Sequence, residues 1–361
     1  MIIVVFLGAL LLIYYIWCQA IRIAMKKLQC IRSFSRTAVF AGEEAELVET
    51  VRNDSPVVIP WLLVESRVSP YLRLGRQENL HLSGNTHFCS QFTLLSHQQI
   101  HRRHRVRFLH RGSFNMGNAS LTVSNVLGFF TSRREQMLDA PVLVYPPLLE
   151  DGELPLPISC HLREITRQPQ LLQDPFLVRG LRAYQPGDPV RDIHWAATAR
   201  TGEAQVRLHD YSARTKLLVV LNAQLHKDQW HDHLDDDAAE QIERGISLAA
   251  TVCVKALREG VAAGFAANMP VDDQKECVVM LPGEGGGWEE TLLTTFARLK
   301  ILRTEHFPAF LDSLTSCSDM EILVISAYDS EGIQNSICKL RQSGNQVMFH
   351  ILEGGSLCGN G

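Results

Sequence analysis

The chain opens on an unbroken apolar run, MIIVVFLGALLLIYYIWCQAI, and residues 1–21 hold no charged side chain. At about 1.5 Å of rise per residue, a helix of that length just crosses a hydrocarbon layer of roughly 30 Å. Tyr14, Tyr15 and Trp17 lie at one end of it, as interfacial aromatics do. The run predicts a retained membrane anchor. A cleaved signal peptide would call for a basic start and a small-residue cleavage site, and neither is present.

From about residue 36 to 148, short apolar stretches alternate with turn residues. ELVETVRNDSP, VVIPWLLVESRV, HFCSQFTLL, the alternating HRVRFLHRGSF, ASLTVSNVLGFF and PVLVYPP read as strands with turns between them. Strands at this spacing predict an all-β sandwich of immunoglobulin-like size. Pro146 and Pro147 close it, and EDGELPLP reads as the start of a linker.

Beyond about residue 205 the period changes. TKLLVVLNA is a continuous apolar strand of the kind buried on both faces. AAEQIERGISLAATVCVKALREG is an amphipathic helix ended by Gly260. VAAGFAANM, ECVVMLPG, the helical WEETLLTTFARLKIL, MEILVISA, the helical SEGIQNSICKLRQSG and QVMFHIL continue the series. Strands alternating with helices predict a mostly parallel, three-layer α/β sheet. The expected organisation is an anchor (1–21), a β-sandwich (22–148), a linker (149–175) and an α/β domain (176–361), a multidomain α+β chain.

Charge adds an orientation. Arg22, Lys26, Lys27 and Arg32 follow the apolar run and no basic residue precedes it, which by the positive-inside rule puts the rest of the chain in the cytoplasm. Nine cysteines, odd in number and without a C-x-x-C pair, suit a reducing compartment and give no structural zinc pattern. Residues 1–150 carry a net charge of +6 and residues 151–361 a net −10. The basic part suits anionic lipid headgroups, and the acidic part argues against nucleic acid as a partner.

Between the two domains lies YQPGDPVRDIHW (184–195). Pro186-Gly187 is a turn pair, and Asp188 is placed to cap a helix whose first residue is Pro189. That helix would run to Gly202 with Val190, Ile193 and Ala197 on one face. Arg179, Arg182, Arg191, Arg200 and Arg207 surround Asp188 and Asp192, enough for a bidentate ion-pair network. The segment holds no activated nucleophile. It reads as a corner brace with Trp195 buried, and an anion clamp is the other reading.

VRGLRAYQPGDPVRDIHWAATARTGEAQVR resembles the signature of the domain-of-unknown-function-58 family, R-x-Y-x-x-G-D-x-x-R-x-I-x-W-x-x-x-A-R. Arg182, Tyr184, Gly187, Asp188, Arg191, Ile193, Trp195, Ala199 and Arg200 fit it. The N-terminal anchor, HRGSFNMG and VLGFF followed by VYPP extend the resemblance. It implies a membrane-anchored protein, usually with two spans, whose α/β part is von Willebrand factor A-like and which works beside MoxR-type AAA+ ATPases. Ala183 and His194 depart from the pattern. Factor A domains also carry D-x-S-x-S after the first sheet strand as oxygen ligands for Mg²⁺, and here the slots hold Asn222, Gln224 and His226. The resemblance therefore implies a degenerate site, with no metal and no cofactor expected.

WHDHLDDD (230–237) offers His231, His233 and Asp235 to a divalent ion, as a metal-dependent hydrolase or an adhesion-type metal binder would; the alternative is a solvated loop before a helix. PGEGGGW lacks the Lys-Ser/Thr of a phosphate loop, and HRRHRVR alternates as an edge strand does. The favoured expectation is a membrane-tethered binding or scaffold protein, not an enzyme. Its partner surface would be the carboxyl edge of the sheet, from Asn222 to Asp237, the loop after Phe265, and Tyr328 to Glu331, made acidic by Asp232, Asp235, Asp236, Asp237 and Asp329. An alkaline phosphatase fused after Gly361 should be inactive, because the fusion point is expected in the cytoplasm; an active fusion would reverse the topology.

Overall fold

The computed structural model describes residues 2–75, 80–82, 87–124, 131–150, 152–167, 173–185, 188, 190–211, 215–227, 229, 235–272 and 274–352. The chain divides into two compact units, Met1–Pro147 with Phe296–Arg298, and Leu148–Thr295 with Leu299–Gly361. The architecture is mixed α/β with an N-terminal apolar helix and several sheets.

In the first unit, helix α1 (Ile2–Lys27) runs straight into strand β1 (Leu28–Phe34). There follow β2 (Ala38–Phe40), β3 (Glu44–Asn53), β4 (Ile59–Arg67), β5 (Leu72–Leu74), β6 (Leu80–Leu82), β7 (His87–Leu94), β8 (Gln99–Phe108), β9 (Gly112–Asn115), β10 (Asn118–Ser124), β11 (Thr131–Met137) and β12 (Pro141–Tyr145). They form sheets in the orders β1-β3-β8-β5, β11-β10-β4-β7-β6 and β2-β12-β9. Alternation places the core: β3 buries Ala45, Leu47, Glu49, Val51 and Asn53 and turns the residues between them outward. Leu28, Cys30 and Val51 of one sheet meet Leu62, Val64, Phe92, Leu94, Leu121 and Val123 of the other in a single cluster.

Two expectations change here. The helix does not stop at residue 21 but continues to Lys27, and Ile21, Ala24 and Met25 join that same cluster. The first strand begins at Leu28, inside the expected 22–148, because residues 22–27 still belong to the helix. Arg134 on β11 seals the junction, donating to the carbonyls of Met25 (3.0 Å) and Leu28 (2.8 Å).

A buried ion pair bridges the two larger sheets. Arg32 on β1 donates through Nε (2.9 Å) and Nη2 (2.6 Å) to Glu49 Oε1 on β3, and through Nη1 to Ser66 Oγ on β4 (2.7 Å). Its guanidinium lies 4.8 Å from the centre of the Phe88 ring on β7. His104 on β8 packs edge-on against Phe88, with Nε2 3.7 Å from Glu49 Oε2. Burial alone would push the Glu49 carboxyl up, but His104 and the Arg32 charge outweigh it and hold the group below its usual range.

In the second unit the order is α2 (Leu156–Arg167), β13 (Gln173–Ala183), a 3₁₀ turn (Val190–Asp192), α3 (Trp195–Thr201), β14 (Gln205–Tyr211), β15 (Lys216–Leu221), α4 (Asp236–Arg258), β16 (Ala262–Ala267), β17 (Val278–Gly283), α5 (Trp288–Arg298), α6 (Phe307–Ser313), β18 (Glu321–Ser326), α7 (Glu331–Gln342) and β19 (Gln346–Ile351). The main sheet runs β17-β16-β15-β18-β19; all neighbours are parallel except β16 and β17. Leu218, Val220, Ile322 and Val324 face Phe307, Phe310 and Leu311 of α6 and Ile333, Ile337 and Leu340 of α7. On the other face Gly245 of α4 sits against the Leu221 side chain. Three layers result.

The antiparallel edge strand needs Gly264. A Cβ there would lie 2.5 Å from the Met280 carbonyl oxygen, because a register shift between Ala263 and Phe265 brings the two backbones together. Residues 149–175 are not all linker. They contain α2, whose Ile158, Leu162 and Ile165 are buried, and the start of β13. Helix α6 was also not expected; Pro308 in its first turn and a length of only seven residues hid it among loop signals.

Replacing Arg32 by methionine should cost about 3–5 kcal/mol, since it breaks a buried ion pair and leaves the Glu49 carboxyl with only His104 and Ser90 to offset its burial. In the parent, a carboxyl with a lowered folded pKa contributes stability that is lost as pH falls through that pKa. In Arg32→Met burial should dominate and raise the Glu49 pKa above its unfolded value, so the variant should recover stability as pH falls from neutrality. Chemical denaturation of both proteins at pH 5 and pH 8 checks the magnitude and the sign.

Candidate functional site

Two places carry the residues singled out in the sequence, and both belong to the second unit. The first is the connection between β13 and β14, which pair antiparallel from Gly180↔Leu208 to Ala183↔Gln205. Pro186, Gly187 and Pro189 lie outside the described residues. Arg182 grips Asp188 with a two-pronged fork, Nη1 to Oδ2 and Nη2 to Oδ1, both 2.7 Å. Asp188 Oδ2 also accepts the Gln185 N–H at 2.8 Å. The Arg182 hydrogen bonds and the Gln185 N–H hold the Asp188 carboxyl below its usual range, and the Arg182 guanidinium is raised in turn. Asp188 thus closes a loop and does not cap a helix.

The helix expected from Pro189 to Gly202 is divided. Val190–Asp192 forms a 3₁₀ turn, Ile193 makes a β-bridge with Val206, and only Trp195–Thr201 is α-helical. His194 is the cap: its Nδ1 accepts the Ala197 N–H at 3.0 Å, and its own N–H donates to Gln205 O at 2.8 Å. Thr198 Oγ1 ties the helix to β14 by accepting the Gln205 N–H (3.0 Å) and donating to His194 O (3.1 Å). Gly202 ends it at φ 77°, a left-handed position that glycine tolerates.

This small framework is well braced, yet it does not bury its aromatics. Trp195 is 68% exposed, Val190 66% and Tyr184 38%, and no residue of α3 is buried. The expectation of a buried Trp195 is corrected. Backbone pairing and the Arg182–Asp188 fork consume the local polar groups, and α3, at seven residues, has no apolar face turned to a core. Arg200 and Arg207 are exposed as well. Of the five arginines, Arg182 makes the fork with Asp188; the side chains of Arg179 and Arg191 lie outside the described residues.

The second place is the carboxyl edge of the main sheet, where β15, β16 and β18 end. Asn222 Nδ2 donates to Ser326 Oγ (3.0 Å), and Asn222 Oδ1 accepts from Gln224 N (2.9 Å) and Asn268 Nδ2 (3.4 Å). Asn268 Oδ1 accepts from Ala223 N (2.8 Å), and its Nδ2 also donates to Glu305 O (3.1 Å). Gln224 Oε1 accepts the Phe307 N–H at 2.9 Å. All four side chains are buried. The amide oxygens that a cation would need already accept N–H donors, so Asn222 and Gln224 do not fit a Mg²⁺ site. His226 is exposed and outside this network. Gln224 Nε2 is buried without a partner among the described atoms.

Asn268, Ser326 and the loop leading to Phe307 were missed in the sequence. The available signal was a polar residue directly after, or at the end of, two fully apolar strands. On the rim, Asp235, Asp237 and Asp329 are exposed, and Asp329 accepts both contacts from Gln334 Nε2 at 2.9 Å. His231, Asp232 and His233 lie outside the described residues, as does the side chain of Asp236.

Trp195→Ala should leave the melting transition within about 0.5 kcal/mol of the parent, as exposed substitutions do. A loss of about 3–5 kcal/mol in a thermal melt, the range for buried aromatics, would restore the brace reading.

Among curated proteins none matches the chain. Solved structures similar to it include the CARDB domain of the PF1109 protein from Pyrococcus furiosus (14% identity, 32% of this chain, 91% of that one, TM-score 0.23). A non-cellulosomal cohesin from Archaeoglobus fulgidus (8%, 32%, 91%, TM-score 0.22) and CaCohA2 from Clostridium acetobutylicum (9%, 34%, 94%, TM-score 0.21) are also similar. TM-scores this low carry no argument about fold or role. The signature is another matter: residues 180–293 match the model of the family described as "Protein of unknown function DUF58", and this part of the chain belongs to that family.

Proposed function

We propose that the chain is a membrane-tethered binding protein, with an immunoglobulin-like sandwich next to the membrane and a von Willebrand factor A-like domain that has exchanged its metal ligands for an amide network. It serves as a scaffold for a cytoplasmic partner and catalyses no reaction. The partner we infer is a MoxR-type AAA+ ATPase, an identity that rests on the family resemblance. The observation that carries the binding reading is Trp195, exposed on a hydrogen-bonded framework whose same connection also exposes Tyr184 and Arg200. Trp, Tyr and Arg dominate binding hot spots because they bury large areas at small entropic cost.

The acidic rim of the sheet edge supplies steering. Asp235, Asp237 and Asp329 would attract a basic patch on the partner and make association salt-sensitive. A hydrolase using His231, His233 and Asp235 gains no support from any described geometry.

Pull-down of the full chain from native membrane at low salt, across nucleotide states, tests the reading. The parent should recover a MoxR-type ATPase. Asp235→Lys, Asp236→Lys and Asp237→Lys together should reduce that recovery, with some loss of melting temperature because they stand at the N-terminus of α4, and Trp195→Ala should reduce it without that loss. Recovery of no such ATPase by the parent would remove the partner assignment.

A further inference from the structure

We propose that the outer face of the sheet formed by β4, β10 and β11 holds a binding site for a free amino acid. Glu65, Ser120 and Glu135 receive its ammonium group, and Arg67 or Arg133 its carboxylate. The site lies wholly within the first unit and stands independently of the partner reading above.

Strand register builds it. Ser120 on β10 pairs with Glu65 on β4 and with Glu135 on β11, so the three side chains form one row across neighbouring strands. Ala119, Leu121 and Val123 of β10 point into the core, which turns Ser120 and its row to the opposite face. The row lines a concavity of about 680 Å³ that residues 115–117, the turn between β9 and β10, line as well. That volume is typical of sites for small molecules.

Ser120 is 8% exposed, and its Oγ has no hydrogen-bond partner among the described residues. A buried hydroxyl is costly to leave in that state. Serine is shorter than the glutamate on either side, so the two carboxyls stand above it, and Glu135 is exposed and can turn to admit a ligand. With strands about 4.8 Å apart, both glutamates can close over the central serine. Three oxygen acceptors then face one point, and an ammonium group has three N–H donors to give.

Other ligands fit less well. Among the described residues no group of three acidic, histidine or cysteine side chains is placed to hold a metal ion. No aromatic ring lines the concavity, so a nucleobase has nothing to stack on. The two glutamates are matched by Arg67 and Arg133, both exposed in the same lining, and among the described residues no ion pair joins the four. Arg133 stands two residues from Glu135 and Arg67 two from Glu65, about 7 Å along their strands, a span that an arginine side chain covers. Unspent charges of both signs around a buried hydroxyl match a molecule that carries both charges.

Equilibrium dialysis of the full chain in detergent against each isotope-labelled proteinogenic amino acid tests the site. At least one should be retained. Ser120→Ala and Glu135→Gln should each weaken its retention about tenfold or more, as loss of a hydrogen bond to a charged group does. Glu135 is exposed, so Glu135→Gln keeps the fold even if Ser120→Ala disturbs it. The N-acetyl derivative of the retained amino acid has no ammonium group and should fail to compete. Its methyl ester should compete weakly, and Arg67→Gln with Arg133→Gln should abolish the difference between acid and ester. Retention of no amino acid overturns the proposal, as does retention that Ser120→Ala and Glu135→Gln both leave unchanged. Full competition by the N-acetyl derivative overturns it as well.

Discussion

Enclosing the last turns of helix α1 inside the sandwich is the constraint from which the first unit is built. Ile21, Ala24 and Met25 are core residues of a β structure although they belong to a helix of membrane type. Arg134 reaches across to the Met25 and Leu28 carbonyls, which a helix end would otherwise leave unpaired. Because β1 starts at the residue after the helix, no joint is left between helix and domain. The buried Arg32 then ties β1 to β3 and β4, so the strand that continues the helix also holds the two sheets together.

The second unit solves a different problem. Parallel strands buried on both faces leave polar backbone and side chains at their carboxyl ends, and a domain of this architecture commonly spends them on a ligand. Here Asn222, Asn268, Gln224 and Ser326 spend them on one another and on the loop before α6. A closed amide network stabilises the edge at the cost of its chemistry. The exposed chemistry is found instead in the β13–β14 connection, where backbone pairing and the Arg182–Asp188 fork support aromatic groups that face solvent.

The signature segment shows how local reading and folded outcome diverge. Asp188 before Pro189 has the composition of a cap, yet a neighbouring strand supplies Arg182, and a charge-assisted fork of two short bonds is worth more than one cap bond. His194 takes over the capping of α3 because β14 holds its backbone through Gln205. Trp195 reads as core from its size alone, and exposure is not a property that size decides.

The amino-acid order by itself determined the elements whose signal is periodic and long: the apolar helix, the alternating strands of the sandwich, β15, α4 and its Gly260 stop, and the polar character of the positions after β15. Each follows from side chains repeating every 2 or 3.6 residues, which a linear chain displays. Tertiary structure decided where α1 ends, because burial of Ile21, Ala24 and Met25 comes from strands far along the chain. It decided that β17 runs antiparallel, which hangs on the close backbone approach at Gly264. It decided, too, that the slots after β15 are closed, since Asn268, Ser326 and Phe307 reach them from residues 45 to 104 positions away. Partners that distant leave no periodic trace, and only the folded chain brings them together.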